Sequence, residues 1–327
     1  MKPKKRDVPI QLSLFNLLPE NSVFSNTIEL YDSIPKYIVG KNKYADRLYP
    51  IERTFQHKEN TYRVVIKPAM IKDSDGKYID ALPGQREEFV EDALRKIATD
   101  GNIVLVGHQV GVTFTIYQLQ KELERTGHAY SYTQIKDALE ILVSCNMKLT
   151  VVIEDKKKEE LFSESLFGRM AGKTEDGWTE GEGKRTSFVI FFNSLVKKSI
   201  FELTFRRYNY ELCMKYSNFI ARYLHKRLSH NYIQASMMKP YEILMSTIIE
   251  GSGMKSYSKN SENNKYIAKA LEEMKNEKVL IDWKSQRAKG NYKYTLVPSQ
   301  SFVAEIKRSN QLHRENLEAG ENGGQNT

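Results

Sequence analysis

Apolar positions recur along the chain in two successions of helical, then alternating, spacing. In the first, Phe89, Val90, Ala93, Leu94 and Ile97 repeat at intervals of three and four, and Asp100-Gly101-Asn102 ends the helix they predict. An apolar run at 103–106 reads as a strand. Thr115 opens a second helix, with Gln118 placed as in a capping box and Ile116, Leu119 and Leu123 on the inner face. Thr126-Gly127-His128 turns the chain. Ser131, again with a glutamine (Gln134) three residues on, opens a third helix with Ile135, Ala138, Leu139 and Leu142 inward. Residues 149–153 and 186–191 read as two paired strands, joined by a charged, glycine-containing connection, 154–185, expected to be mobile.

The succession then repeats. A long helix is predicted over about 203–228, carrying Phe205, Tyr208, Leu212, Tyr216, Phe219, Ile220, Tyr223 and Leu224. Pro240 is placed to start the next helix, with Ile243, Leu244 and Ile248 inward and Gly251-Ser252-Gly253 ending it. A helix over about 261–276 follows, with Ile267, Ala270, Leu271 and Met274 inward. Val279, Ile281 and Trp283 alternate along one strand, and Tyr292, Tyr294 and Leu296 along its return, with Lys289-Gly290-Asn291 at the tip. Helix, turn, helix and a two-stranded ribbon is the pattern of a winged helix. The fold expected is therefore α+β, with two tandem winged-helix domains at 86–198 and 199–308. A flexible arm (1–30) and an extension (31–85, with a strand at 61–66) precede them. A tail (309–327), rich in Glu, Gly, Asn and Gln, is expected to be disordered.

Charge adds a partner to this picture. The 327 residues carry a formal net charge of +9, which favours a polyanion. Residues 197–308 hold 21 Lys and Arg against 10 Asp and Glu, a net +11, so the rest of the chain carries −2. The basic excess belongs to one module, as in nucleic-acid binding. No apolar run is long enough to span a bilayer, and no signal-peptide apolar stretch follows the basic start. Cys145 and Cys213 lie far apart in apolar surroundings and read as buried thiols in a reducing bacterial cytoplasm. The six histidines form no ligand-spaced cluster, so neither metal nor cofactor is expected.

A recognition helix must present hydrogen-bonding side chains to the major groove. In the second unit the outer positions are Asn260, Asn263, Asn264, Lys265 and Lys269, preceded by Lys255, Tyr257 and Lys259. Asparagine pairs with adenine edges; lysine reaches guanine or phosphate. Lys284, Arg287, Lys289 and Lys293 sit on the wing, placed for flanking backbone. The long helix adds Arg222 and Lys226 one turn apart, beside Arg206, Arg207 and Arg227. The corresponding helix of the first unit offers Tyr132, Thr133, Gln134, Lys136 and Asp137. Its mixed charge suits phosphate contact or a subunit interface better than base reading.

Near the start stands Gln11-Leu12-Ser13-Leu14-Phe15, a polar anchor followed by apolar knobs, in a segment read as exposed. It resembles the peptide by which bacterial replication proteins dock on the sliding clamp. Two tandem winged helices, the second strongly basic, are together similar to plasmid replication initiators that bind iterated origin repeats. The peptide narrows the resemblance to broad-host-range initiators of the TrfA type. The architectural part covers about residues 86–308 and rests on pattern; the peptide is its specific part. The resemblance implies binding of double-stranded DNA repeats (iterons) at a plasmid origin and melting of an adjacent A+T-rich segment. It also implies recruitment of the host sliding clamp and of the replicative helicase or its loader. Related initiators switch between monomer and dimer, which implies self-association through the first winged helix. The extension at 31–85 has no counterpart in that pattern.

Two other classes compete. A rolling-circle nickase needs a tyrosine beside a metal held by a close histidine pair, and the chain has no His-x-His. Gly172-Lys173-Thr174 lacks the upstream glycine of a phosphate-binding loop, since Phe167 stands at that position. An enzyme is not expected. A winged-helix transcriptional repressor or a phage-type origin-binding protein shares the fold, and only the clamp-like peptide separates them from an initiator.

Overall fold

The computed structural model describes residues 10–16, 22–40, 44–73, 75–152, 158–173, 187–288 and 290–323. The chain begins with α1 (Ile10–Phe15), β1 (Phe24–Ile28) and α2 (Glu29–Ser33). Five strands follow: β2 (Tyr44–Ala45), β3 (Ile51–His57), β4 (Asn60–Lys67), β5 (Ala69–Lys72) and β6 (Tyr78–Ala81). The first helical unit comprises α3 (Gln85–Ile97), β7 (Ile103–Val106), β8 (Gln109–Thr115), α4 (Ile116–Arg125) and α5 (Tyr132–Ser144). It continues through β9 (Asn146–Val152), β10 (Lys158–Ser165), β11 (Phe167–Lys173), β12 (Ser187–Phe192) and α6 (Ser194–Phe201).

The helix starts predicted at Thr115 and Ser131 hold. Thr115 Oγ1 accepts the Gln118 N–H at 3.0 Å. Ser131 and Gln134 form the reciprocal capping box, at 3.2 and 2.9 Å. The strand pairing differs from expectation. Residues 149–153 and 186–191 do not pair with each other: β9 lies between β10 and β4, and β12 between β11 and β8. The extension supplies the reason. Tyr62, Val64 and Ile66 of β4 are buried at alternate positions, and β4 takes up one edge of β9, with Val64 opposite Leu149. β3 and β4 of the extension are thus part of the first unit's sheet, while β2, β6 and β5 form a three-stranded sheet of their own. Within the connection expected to be mobile, residues 158–173 form β10 and β11; 153–157 and 174–186 lie outside the described residues.

The single helix expected over 203–228 is three elements: β13 (Phe205–Asn209), α7 (Tyr210–Lys215) and α8 (Phe219–Asn231). Leu203 adopts φ +54°, β13 pairs antiparallel with β1, and Asn209 and Asn218 each cap a new helix through the side-chain oxygen. Two N-cap signals therefore divide an otherwise continuous apolar periodicity.

The second unit runs α8, β14 (Tyr241–Leu244), α9 (Met245–Ser252), α10 (Asn260–Asn276), β15 (Leu280–Ala288) and β16 (Asn291–Pro298), with sheet order β14-β16-β15. This is winged-helix topology. Pro240 leads into a strand, not a helix, because Tyr241 and Ile243 pair with Leu296 and Tyr294 of β16. Gly253, at φ +70°, ends α9, and Gly290, at φ +80°, turns the wing.

Two cores result. One gathers residues from Leu12 to Met214, the other from Tyr216 to Ile306, so β13 and α7 belong to the first unit and the boundary falls near 215 instead of 199. The segment expected to be a disordered tail continues α11 (Gln300–Gly323), while 324–327 lie outside the described residues. Phe302, Val303 and Ile306 anchor the start of α11 in the second core. Once that turn is fixed, each further residue adds a hydrogen bond without a new nucleation cost, and Gln311, Leu312, Arg314, Glu315, Leu317, Glu318 and Ala319 favour propagation. No helix among the described residues is long and apolar enough to cross a membrane.

Candidate nucleic-acid interface

α10 turns Ile267, Ala270, Leu271 and Met274 inward, all fully buried, which fixes the opposite face outward. Lys265 and Lys269 are exposed there, one turn apart, with Tyr266 exposed between them. Tyr266 stacks on Tyr257 at 5.0 Å between ring centroids and 2° between planes, and the Lys269 ammonium stands 5.9 Å from the Tyr266 ring. The sequence reading singled out Tyr257 but missed Tyr266; an aromatic residue on the polar face of a lysine-bearing helix was the available signal. Lys255 and Lys259 are exposed ahead of the helix.

The asparagines of α10 have other work. Asn263 is buried and holds the main chain of Tyr257 twice: its Oδ1 accepts the Tyr257 N–H at 2.8 Å and its Nδ2 donates to the Tyr257 carbonyl at 3.0 Å. It shapes the loop before the helix and cannot also read a base edge. Asn264 Oδ1 accepts the Tyr294 hydroxyl at 2.6 Å, so it ties the helix to β16. Asn260 Nδ2 donates to the Gly290 carbonyl at 2.8 Å, which joins the start of α10 to the wing tip. That bond makes helix and wing one surface. Lys284 and Arg287 are exposed on β15, and the Arg287 Nε lies 3.3 Å from the Tyr292 hydroxyl. Lys293 is ion-paired with Glu242 at 2.7 Å. Lys289 lies outside the described residues.

Arg222 and Lys226 are a correction. Both were expected on an outer face; both are buried at the junction of the two units. Arg222 Nη2 lies 2.9 Å from Glu88, and Nη1 donates to the Tyr216 carbonyl at 2.8 Å. Lys226 Nζ meets both oxygens of Asp92, at 2.6 and 2.8 Å. Arg95 reaches Asp92 at 2.8 Å and Asp32 at 2.7 Å, and Lys36 stands 3.7 Å from both Asp32 and Glu91. Four cations thus face four carboxylates from α2, α3, α8 and the segment after α2. Burial pushes the Glu88 and Asp32 carboxyls upward, but Arg222 beside Glu88 and Arg95 with Lys36 beside Asp32 outweigh it and hold both below the usual range. These cations are spent inside the protein. The i, i+4 spacing that suggested a DNA face marks instead the face of α8 that docks on α3.

Arg206 bonds Asn310 and is half-buried on β13. The Arg207 guanidinium covers Phe24 at 3.6 Å, and Arg227 donates to the hydroxyls of Tyr241 and Tyr223. None of the three shares the α10–wing surface. On α5, Tyr132, Thr133, Gln134 and Lys136 are all exposed, although Gln134 serves as the cap of its own helix. Among the described residues no group of His, Cys, Asp and Glu could hold a metal. Both cysteines are free and buried, and burial pushes their thiols up to about 12.

The clamp-like peptide is also placed differently from expectation. Residues 10–15 form α1, with Leu12 and Phe15 fully buried, Gln11 and Leu14 half-buried and Ser13 exposed. Phe15 packs edge-on against Phe205 at 5.0 Å, and Asn26 Nδ2 donates to its carbonyl at 3.0 Å. In this structure the peptide belongs to the first core and is not presented.

Fold and surface together define a protein of two α+β units, the second a winged helix whose lysine-lined helix is joined to its wing. No protein-family model matches the chain, and no curated protein matches it significantly. Among solved structures, a crystal structure of selenomethionine derivatives of domains 2 and 3 of RctB aligns with a TM-score of 0.48 at 10% identity, over 83% of this chain and 96% of that one. A second, of RctB domains 2–3, gives 0.45 at 10% identity over 85% and 99%. The Pi initiator protein in complex with iteron DNA gives 0.43 at 13% identity, over 66% of this chain and 91% of that one. The fold assignment stands on the element order and strand pairing above, not on these alignments.

Proposed function

We propose that this protein is a plasmid replication initiator that binds repeated double-stranded DNA at an origin through its second winged helix. The observation that carries the reading is the joined surface of α10 and the wing. Asn260 fixes the two together, and exposed Lys259, Lys265, Lys269 and Arg287 lie on them. Net positive charge concentrated in the same unit supports it. In this reading Lys265 and Lys269 meet phosphate or guanine, Tyr257 and Tyr266 offer a flat apolar face, and Lys284 and Arg287 follow the flanking backbone. The first unit, with Tyr132, Thr133 and Lys136 exposed, supports the second on DNA or meets a second copy. The Gln11–Phe15 peptide and its likeness to clamp-docking sequences add recruitment of the sliding clamp; the helicase or its loader enters by resemblance alone. No catalytic step is assigned to any residue. Footprinting of the DNA that flanks the gene tests the reading. Regularly spaced protected repeats support an initiator, whereas a single palindrome indicates a repressor and overturns it.

A further inference from the structure

The two residues that would anchor the peptide to a clamp are in use elsewhere. Phe15 is fully buried against Phe205 and, with Leu14, Asn26, Ser309 and Leu312, lines a small cavity beside it. α1 packs against α6 and α11. An apolar side chain buried in its own protein cannot at the same time fill a partner's pocket, so the two states exclude each other. The outer wall of the seat is α11, whose first turns belong to the second core through Phe302, Val303 and Ile306. Further along, Ser309 Oγ donates to the Arg207 carbonyl at 2.8 Å, and Asn310 bonds both Arg206 on β13 and, at 3.0 Å, the Ile233 carbonyl beyond α8. One helix therefore touches the DNA-binding unit at one end and the peptide at the other.

We propose that α11, β13 and α6 form a seat that holds the Gln11–Phe15 peptide in cis, and that a clamp can take the peptide only when α11 lifts from it. The proposal deepens the clamp reading above and rests on it. If the seat is closed in most molecules, the apparent affinity for the clamp falls by the fraction that is open.

The test compares three species on purified bacterial sliding clamp by fluorescence anisotropy: a synthetic peptide of residues 8–18, the full chain, and the full chain with Leu312→Asp. Leu312 is a half-buried wall of the seat outside both cores, so the variant loosens α11 with little demand on folding. The full chain is expected to bind at least about tenfold more weakly than the peptide. Leu312→Asp is expected to recover most of the difference. Hydrogen exchange on the same proteins should show slow amides at Phe15 and Asn16 in the full chain, faster ones in the variant, and no change in α10. Equal affinity of peptide and full chain, or α1 amides that exchange as fast as those of the free peptide, would overturn the seat while leaving the clamp reading intact. A peptide that does not bind the clamp removes that reading, and the proposal with it.

Discussion

Replacement of Lys226 by methionine separates an inward role for this cation from the DNA contact its spacing suggested. Methionine keeps most of the stem volume and deletes the charge. In the folded protein Lys226 is 7% exposed and Asp92 1%, with the ammonium 2.6 and 2.8 Å from the two carboxylate oxygens. At such separations the attraction in a protein-like medium is about 6 kcal/mol before desolvation is counted. Burial lowers the proton affinity of Lys226, and Asp92 outweighs it, so the group is held charged. Loss of one partner from a buried pair costs about 3–5 kcal/mol. Asp92 retains Arg95 at 2.8 Å, which places the expected loss near the lower end, about 3 kcal/mol. That is a large share of a net stability of about 5–15 kcal/mol. With an m-value of about 3 kcal/mol per molar urea, the unfolding midpoint should fall by about 1 M. DNA affinity should keep its dependence on salt, because Lys226 faces Asp92 and not solvent. A midpoint shifted by less than about 0.3 M, with a salt slope shallower by about 1, would place Lys226 on the DNA and refute the reasoning.

Acid should destabilise the protein early. Burial pushes His225 down to about 3 and His230 to about 4, so the unfolded chain, with values near 6.5, takes up these protons first. Stability is full above pH 6.5 and falls by about 1.4 kcal/mol per pH unit for each histidine below it, about 4 kcal/mol in all at pH 5. Urea melts from pH 8 to 5 check this, and a flat profile contradicts it. Below pH 4 the depressed Asp32 and Glu88 carboxyls add a further loss, because their stabilisation is present above their unfolded values and disappears under them. Asn263→Ala should weaken DNA binding several-fold through the loop at Tyr257 while the salt slope stays fixed; a shallower slope would show that Asn263 itself meets the DNA. Phe15→Ala should cost about 3–5 kcal/mol of stability, whereas Leu14→Ala, at a half-buried position, should lower clamp binding and leave the urea midpoint within about 0.5 M of the parent.

The second winged helix was largely legible in the sequence because its signals are local. The stripe from Ile267 to Met274 and the alternation along β16 fix helix, wing and faces without reference to the rest of the chain, whereas the alternation expected along β15 fails at Ile281, which a bulge between Leu280 and Asp282 leaves exposed while Leu280 is buried. The first unit was half legible: capped helices announce themselves, but the partner of a strand does not. Nothing in residues 149–153 says that β4, some eighty positions earlier, will pair with them. Long-range pairing also turned 205–209 from helix into strand, since β1 lies beside it. The candidate site failed where one spacing serves two purposes. Arg222 and Lys226 at i and i+4 suit phosphate as well as they suit Glu88 and Asp92, and only the docking of α8 on α3 decides. The asparagines of α10 misled in the same way, because an amide that matches adenine also matches a peptide group. The peptide at 11–15 looked exposed because it is short and near one end; the apolar wall that buries it comes from β13 and α11, about two hundred and three hundred positions away.

The central claim is that α10 and its wing bind DNA through exposed cations. The most direct measurement is the salt dependence of DNA binding by the parent chain and by a Lys265→Ala, Lys269→Ala variant, with urea unfolding of both as a control on the fold. Each phosphate contact contributes about 0.9 to the slope of log affinity against log salt. The account predicts a slope shallower by about 2, weaker binding at low salt and an unchanged urea midpoint. Equal affinity and equal slope in the two proteins would contradict it.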